Sequence, residues 1–365
     1  MENKTKKIIF IHLLNDFSGS PKVLSQVIQA LQEKEIALEL YTGKSESGFL
    51  SGLTQNHNQY FYKRSENKWI TLIAFISSQI ILFFKLLKYI NKDVVFYVNT
   101  MLPFGAALAG FVMCKPVIYH VHEISLTPLA LKQFLRAVIR LTAKKIIFVS
   151  NVLRSSEQFF EKKEYVVYNA LPDTFVNNML NQNNRKAKDC FNVLMLASLK
   201  AYKGMQEFVE IAKLLETNKN ISFTLIINAI NKDVNEYFKN KCLTGNIEIF
   251  SSQRDVVSFY NKASLVLNLS HVDVCVETFG LTILEAMAFG IPVIVPPVGG
   301  PAEIVTNGIE GYLMDSKDTN SIAKKIQVLS KDKATWTELS KNALLRSKHF
   351  NQATFEKEII KVLHD

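Results

Sequence analysis

Cysteine is scarce in this chain and the little there is lies scattered. Four cysteines in 365 residues (Cys114, Cys190, Cys242, Cys275) show neither the paired spacing of a metal site nor a disulfide framework, which points to reduced structural thiols in a cytosolic protein. The seven histidines do not fall at ligand spacing with Cys or carboxylates, apart from the alternation of His120 and His122, so no metal site stands out. No G-x-G-x-x-G follows a first strand, which disfavours a nucleotide-binding oxidoreductase. No Ser/His/Asp or Cys/His nucleophile arrangement emerges.

An uninterrupted apolar run of membrane-spanning length is also missing, although one stretch is nearly all apolar. A membrane span needs about 20 apolar residues, and the best stretch, 69–84 (WITLIAFISSQIILFF), is interrupted by Ser77, Ser78 and Gln79. The favoured reading is a largely buried helix packed on a sheet. The other is a helix docked in a membrane interface, with Trp69 and Lys85/Lys88 as anchors. The apolar stretch 8–14 is too short for a signal h-region and reads as a first strand, so a cytoplasmic location is expected.

What the chain does have is positive charge. A formal net charge of +10 asks for a polyanionic partner or surface. The lysines are spread along the chain rather than clustered with aromatics, which disfavours nucleic acid and leaves an anionic membrane or a phosphorylated substrate.

Short apolar β-rich runs alternate with helical segments almost end to end. Strands are expected over 7–13, 36–41, 93–98, 117–121, 145–149 and 165–168, then over 192–197, 222–227, 247–250, 265–269, 292–295 and 311–314. Among the helices are 21–33, 103–112, 128–142 and 152–160, three of them opened by proline, and in the second half 205–215, 234–241, 256–261 and 281–289. This is α/β, with parallel sheets covered by helices on both faces. The polar segment 173–189 reads as a linker between a domain at 1–172 and another at 190–349. Two doubly wound, Rossmann-like domains facing each other across a cleft follow, with ligands expected beyond the carboxyl ends of the strands.

The most informative stretch is a strand, a loop and a helix start at 265–289. N–H groups around Gly280, Leu281 and Thr282 suit a diphosphate, and Gly280 permits close backbone approach. Glu277 in the loop and Glu285 inside the helix would repel that anion, but suit sugar hydroxyls as hydrogen-bond acceptors. A second strand, ending at Leu196-Ala197-Ser198-Leu199 and followed by Lys203-Gly204, feeds a helix through a basic turn.

The segment E-T-F-G-L-T-I-L-E at 277–285 resembles the E-x7-E motif of retaining glycosyltransferases of family 4 (glycosyl transferases group 1), which have the GT-B fold. The continuation through Gly290, Pro292, Gly299-Gly300-Pro301 and Glu303 keeps the pattern. The resemblance implies that Lys203 grips the donor diphosphate, and that Ser198 stands where relatives often carry an Arg, with Lys200 or Lys22 as a substitute. It also implies that Glu277 holds the sugar and Glu285 the ribose, that His122 contacts the donor sugar with His120 in support, and that Gly19 lies in a loop near the donor. The loop 250–254 corresponds to the one that holds the nucleobase, and the helix at 350–365 to one that crosses back to the first domain.

The implied activity is retaining, metal-independent hexosyl transfer from a UDP- or GDP-sugar to an acceptor hydroxyl. No resident cofactor is implied, the sugar nucleotide being substrate. The Asp-x-Asp element of the metal-dependent glycosyltransferase fold has no copy, since Asp273-Val274-Cys275 misses it. The acceptor reads as a saccharide, lipid-linked at the inner membrane face, as in bacterial surface polysaccharide or glycoconjugate assembly. A sugar-nucleotide epimerase of the same fold and a non-catalytic interaction subunit are the alternatives.

Overall fold

The computed structural model describes residues 7–34, 36–45, 47–181, 190–253 and 255–365. The chain divides into two compact units: residues up to Asn169 together with Ala353–Asp365, and Ala170–Gln352.

The first unit is built on seven strands: β1 (Lys7–His12), β2 (Leu38–Gly43), β3 (His57–Tyr60), β4 (Val94–Asn99), β5 (Val117–Val121), β6 (Lys145–Phe148) and β7 (Lys163–Val166). They form one parallel sheet in the order β3-β2-β1-β4-β5-β6-β7. Ile8, Ile9, Phe10 and Ile11 are all fully buried, as expected of a strand covered on both faces. The connecting helices are α1 (Gly19–Gln32), α2 (Lys68–Leu86), α3 (Phe104–Val112), α4 (Leu129–Thr142) and α5 (Asn151–Glu157). In α1, Val23, Leu24, Val27, Ile28 and Leu31 repeat at helical spacing and are all buried, each contributing about 2 kcal/mol of apolar transfer. Pro103 and Pro128 sit at the caps just before α3 and α4, and Pro21 is the third residue of α1. The prolines therefore mark these starts to within two residues.

Two features depart from expectation. Strand β3 (HNQY) was not anticipated, because a polar edge strand carries no apolar alternation. Helix α2 is not the buried core helix favoured by its composition. Only Phe75, Ser78, Gln79, Leu82 and Leu86 are buried, whereas Trp69 is 74 %, Ile73 64 % and Phe84 65 % exposed. A helix that is apolar all round can place just one face against its own fold. That face meets α3, where a Cβ on Gly105 would collide with the backbone of Gln79.

The second unit carries β8 (Phe191–Ser198), β9 (Ile221–Asn228), β10 (Ile247–Phe250), β11 (Leu265–Leu267), β12 (Val293–Val295) and β13 (Gly311–Leu313), again all parallel, in the order β10-β9-β8-β11-β12-β13. Its helices are α6 (Asp173–Asn181), α7 (Met205–Leu214), α8 (Asn231–Phe238), α9 (Val257–Lys262), α10 (Leu281–Ala288), α11 (Pro301–Ile304), α12 (Thr319–Lys331) and α13 (Lys333–Ser347). Val193, Met195, Phe208, Phe223, Leu225 and Leu267 lie at the centre of its core.

The segment 173–189 was expected to be a linker, but its first half is α6. Asp173 favours the helix start, and Phe175 packs edge-on against Phe289 and Tyr260, 5.8 Å and 6.4 Å between ring centres, so α6 belongs to the second unit. Residues 182–189 lie outside the described residues. At the other end, α14 (Gln352–His364) leaves the second unit and packs with the first. There Lys145 Nζ donates to Val362 O (2.7 Å) and Tyr165 OH to Asp365 Oδ2 (2.9 Å).

Candidate functional site

In each sheet the strand order reverses direction once, between β1 and β4 and between β8 and β11. A crevice opens at such a point beyond the strand ends, and the expected functional residues collect there in both units.

In the second unit, β8 runs into a single 3-10 turn at Ala201–Lys203, and Gly204 then starts α7 with φ +76°. A Cβ on Gly204 would run into the backbone of Leu269, just after β11, so only glycine lets these two loops close on each other. His271 N donates to Tyr202 O at 2.8 Å and fixes the contact. The result is that Lys203 Nζ reaches across to Glu277 Oε2 at 2.5 Å, with Ser270 Oγ at 3.5 Å. Burial would lower the Lys203 pKa, but the Glu277 carboxylate outweighs it and the net shift is upward. The lysine therefore remains a cation.

Glu277 stands at the mouth of a helix. Gly300 N donates to Glu277 O at 2.8 Å and holds the loop. Gly280 then caps α10 at φ +102°, and as first-turn groups the N–H bonds of Leu281 and Thr282 have no intrahelical acceptor. One turn deeper, Glu285 is buried and accepts from Tyr260 OH at 2.8 Å. Burial first, and the Glu285 charge next, hold the Tyr260 phenol protonated. The two carboxylates thus occupy different settings, Glu277 half-buried beside a cation and Glu285 buried beside a phenol.

Ser198 ends β8, where Lys200 N donates to Ser198 O at 2.7 Å, and Lys200 is exposed at the start of the turn. Lys22 belongs to α1 in the first unit. The expected nucleobase loop runs from the end of β10, with Arg254 outside the described residues.

In the first unit, His122 follows β5. Its Nε2 lies 2.9 Å from Asn99 Oδ1 at the end of β4. Asn99 Nδ2 donates to Ser20 O (3.2 Å), which fixes the amide orientation, so the His122 Nε2 must carry the proton and its Nδ1 is left as an acceptor. His12, ending β1, donates from Nδ1 to Asn99 O at 3.1 Å. Gly19, expected in a loop, is instead the first residue of α1, and through Ser20 O that helix start is tied to the same asparagine as His122. His120 and His122 do share one face, with ring centres 4.4 Å apart, and His120 Nδ1 pairs with Tyr97 OH at 2.8 Å.

Burial depresses the histidines: His12 to about 4, His120 to about 3, and His122 well below its ordinary value, where His120 and His12 add repulsion. All three are neutral at pH 7. Glu123 next door moves the other way, to about 7, because burial outweighs the N–H bonds from His122 and Met101. Sequence reasoning did not single out Asn99, His12, Ser270 or Tyr260. Three share a signal of position, since Asn99 and His12 close strands at the reversal point and Ser270 follows one; Tyr260, inside α9, carries none.

Residues 177–346, a little under half of the chain, match the family model Glycosyl transferases group 1. Among curated relatives, sucrose-phosphate synthase of Zea mays is 37% identical over 93 residues, 26% of this chain and 9% of that protein. Sucrose synthase of Denitrovibrio acetiphilus is 37% identical over 89 residues, 23% of this chain and 11% of that protein. This chain thus aligns with only about a tenth of the length of those relatives. Solved structures match nearly end to end. Anabaena HepE in complex with UDP and glucose has a TM-score of 0.77 at 19% identity, covering 98% of this chain and 99% of that one. Sucrose-phosphate synthase from Thermosynechococcus elongatus has a TM-score of 0.75 at 17% identity, covering 98% of each. The fold is GT-B, and the match to Glycosyl transferases group 1 lies on its second unit.

Proposed function

We propose that the chain is a retaining glycosyltransferase of family 4 that moves a hexosyl group from a UDP- or GDP-sugar to an acceptor hydroxyl. The observation that carries the reading is the Lys203–Glu277 pair at the N-terminal end of α10. It sets a half-buried cation against a carboxylate in the loop that leads into the first-turn N–H groups of α10, the set of groups a sugar linked to a diphosphate requires.

In this reading the bond between the anomeric carbon and the diphosphate oxygen breaks as negative charge grows on the leaving group. Lys203 and the N–H groups of Gly280, Leu281 and Thr282 stabilise that charge, so no resident metal or other cofactor is called for. Glu277 binds sugar hydroxyls and Glu285 the ribose. Neutral His122 is assigned to a donor-sugar hydroxyl as an uncharged partner, Gly19 to the helix start beside the donor, and Ser198 to the diphosphate turn. The acceptor oxygen bonds to the anomeric carbon on the face the diphosphate leaves, and the departing phosphate takes the acceptor's proton.

The proposed acceptor is a lipid-linked saccharide at the cytoplasmic face of an anionic membrane, in bacterial surface polysaccharide or glycoconjugate biosynthesis. Turnover of a panel of UDP- and GDP-sugars, with and without saccharide acceptors, tests the reading. Acceptor-dependent release of nucleotide that Glu277→Ala abolishes supports it; full activity in Glu277→Ala overturns it. Isomerised donor without any acceptor identifies an epimerase instead.

A further inference from the structure

Helix α2 is apolar on two opposite faces, and among the described residues only one of them has a partner. Phe75, Ser78, Gln79, Leu82 and Leu86 point into the first unit. Trp69, Ile73, Ile76, Ile80 and Phe84 recur at three- and four-residue intervals on the far side, with Ile70 and Ile81 beside them, and all seven are exposed. The stripe runs about 22 Å along the helix. Contiguous exposed apolar surface of this extent marks an interaction site rather than ordinary surface.

The ends of the stripe identify what covers it. Lys63, Arg64 and Lys68 are exposed before and at its start, where Glu66 offsets one charge; Lys85, Lys88 and Lys92 are exposed at and beyond its end, where Lys88 pairs with Glu39 at 3.3 Å and Asp93 follows Lys92. Apolar in the middle, tryptophan at one boundary and cationic at both ends is the pattern of a helix lying in a lipid headgroup layer. A second copy of this chain fits worse. Two such helices packed antiparallel bring the Lys63–Lys68 end against the Lys85–Lys92 end, and packed parallel they set each end against itself. Cations face cations either way. Nor is α2 free to cross the bilayer, although it is long and apolar enough. Gly105 N donates to Gln79 Oε1 at 3.2 Å, and the backbones of α2 and α3 touch at that point, so the helix stays attached along one face.

We infer that the outer face of α2 is a docking surface for an anionic lipid bilayer, on which the helix lies parallel to the membrane plane. This rests on the proposed membrane-side acceptor but not on the donor chemistry. The test is co-sedimentation of the full chain with vesicles of phosphatidylcholine alone or with phosphatidylglycerol added. Binding to the anionic vesicles is expected, falling with salt, and much weaker on phosphatidylcholine. Ile73→Asp and Phe84→Asp should each lower the partition coefficient about tenfold, since each removes a side chain's worth of apolar burial from the bilayer. Both sites are exposed, so melting temperature and UDP binding should not change. The charge variant Lys63→Glu/Arg64→Glu/Lys68→Glu, which leaves the apolar face intact, should erase the preference for anionic vesicles.

Absence of vesicle binding, or unchanged binding in the α2 variants, overturns the inference. So does a concentration-dependent dimer that Phe84→Asp dissociates in protein that ignores vesicles. Glu277→Ala separates the two readings: it should lose transfer and keep vesicle binding.

Discussion

Lys203 and Glu277 lie 74 positions apart in the chain and 2.5 Å apart in space, a cation from one strand-end turn meeting a carboxylate from the next. Neither is bare before the donor arrives. In the proposed function, a diphosphate entering the site would compete for the ammonium, and each lysine contact it took would release Glu277 for sugar hydroxyls. On that reading the pair is a placeholder for both halves of the donor.

Removing either partner is expected to lower kcat/KM for sugar transfer about 100-fold, the scale for losing one preorganised charged group around a developing anion. The double variant Lys203→Ala/Glu277→Ala should lose less than the product of the single effects, because the groups act on each other. Steady-state kinetics on the four proteins provides the comparison.

Gly204→Ala should destabilise the second unit by about 2 kcal/mol or more, since it combines a left-handed backbone with a collision against Leu269. Relief of that collision moves Lys203 away from Glu277, so UDP affinity should fall as well. Thermal unfolding and calorimetric titration report the two effects separately.

The buried histidines give stability an acid limb. Their folded pKa values lie below the unfolded value of 6.5, so the stability they contribute is complete above pH 6.5 and is lost as pH falls. For His12 the window runs from 6.5 to about 4 and amounts to about 3 kcal/mol. Glu123, raised to about 7, acts with the opposite sign: its contribution is complete below its ordinary 4.5 and fades as pH rises through 7. Denaturant unfolding from pH 7.5 to 4 should show a net loss of stability on acidification. The limb should be shallower in His12→Asn, which removes the titrating ring.

Asn99→Asp should raise the His122 pKa towards or above 6.5. The new carboxylate faces Nε2 at the position of Oδ1, favours the imidazolium, and loses the donor to Ser20 O. Ring-proton NMR titration reads this out; an unchanged value would remove Asn99 as the group that sets the histidine.

Much of this molecule is visible in its sequence, for reasons that differ from place to place. Strand 117–121 coincides with β5 because a parallel strand buried on both faces is a continuous apolar run, whereas the edge strand 247–250 coincides with β10 because Ile247 and Ile249 alternate with an exposed Glu248. The loop and helix start at 277–285 are legible because glycine, carboxylate and helix start leave a fixed-spacing record. Strand β3 is not, since an edge strand of three polar residues and one tyrosine is defined by its neighbour β2 rather than by its own pattern. The exposure of α2 is equally hidden: composition reports that a helix is apolar, not which of its faces finds a partner. Asn99 is the clearest omission. It lies 23 residues before His122 and 79 after Ser20, and only the parallel register of β4 with β1 and β5 brings the three together.

The return of α14 to the first unit has a bearing on how the chain is made. Lys145 and Tyr165 receive their partners from Val362 and Asp365, so the first unit is topologically discontinuous, with the whole of the second unit inserted in its chain. At about 5–20 residues per second, some 10–40 s of translation separates the two parts. For that interval the nascent first unit presents an unfilled seat for α14 and an exposed greasy face on α2, and its surroundings at the ribosome must tolerate both.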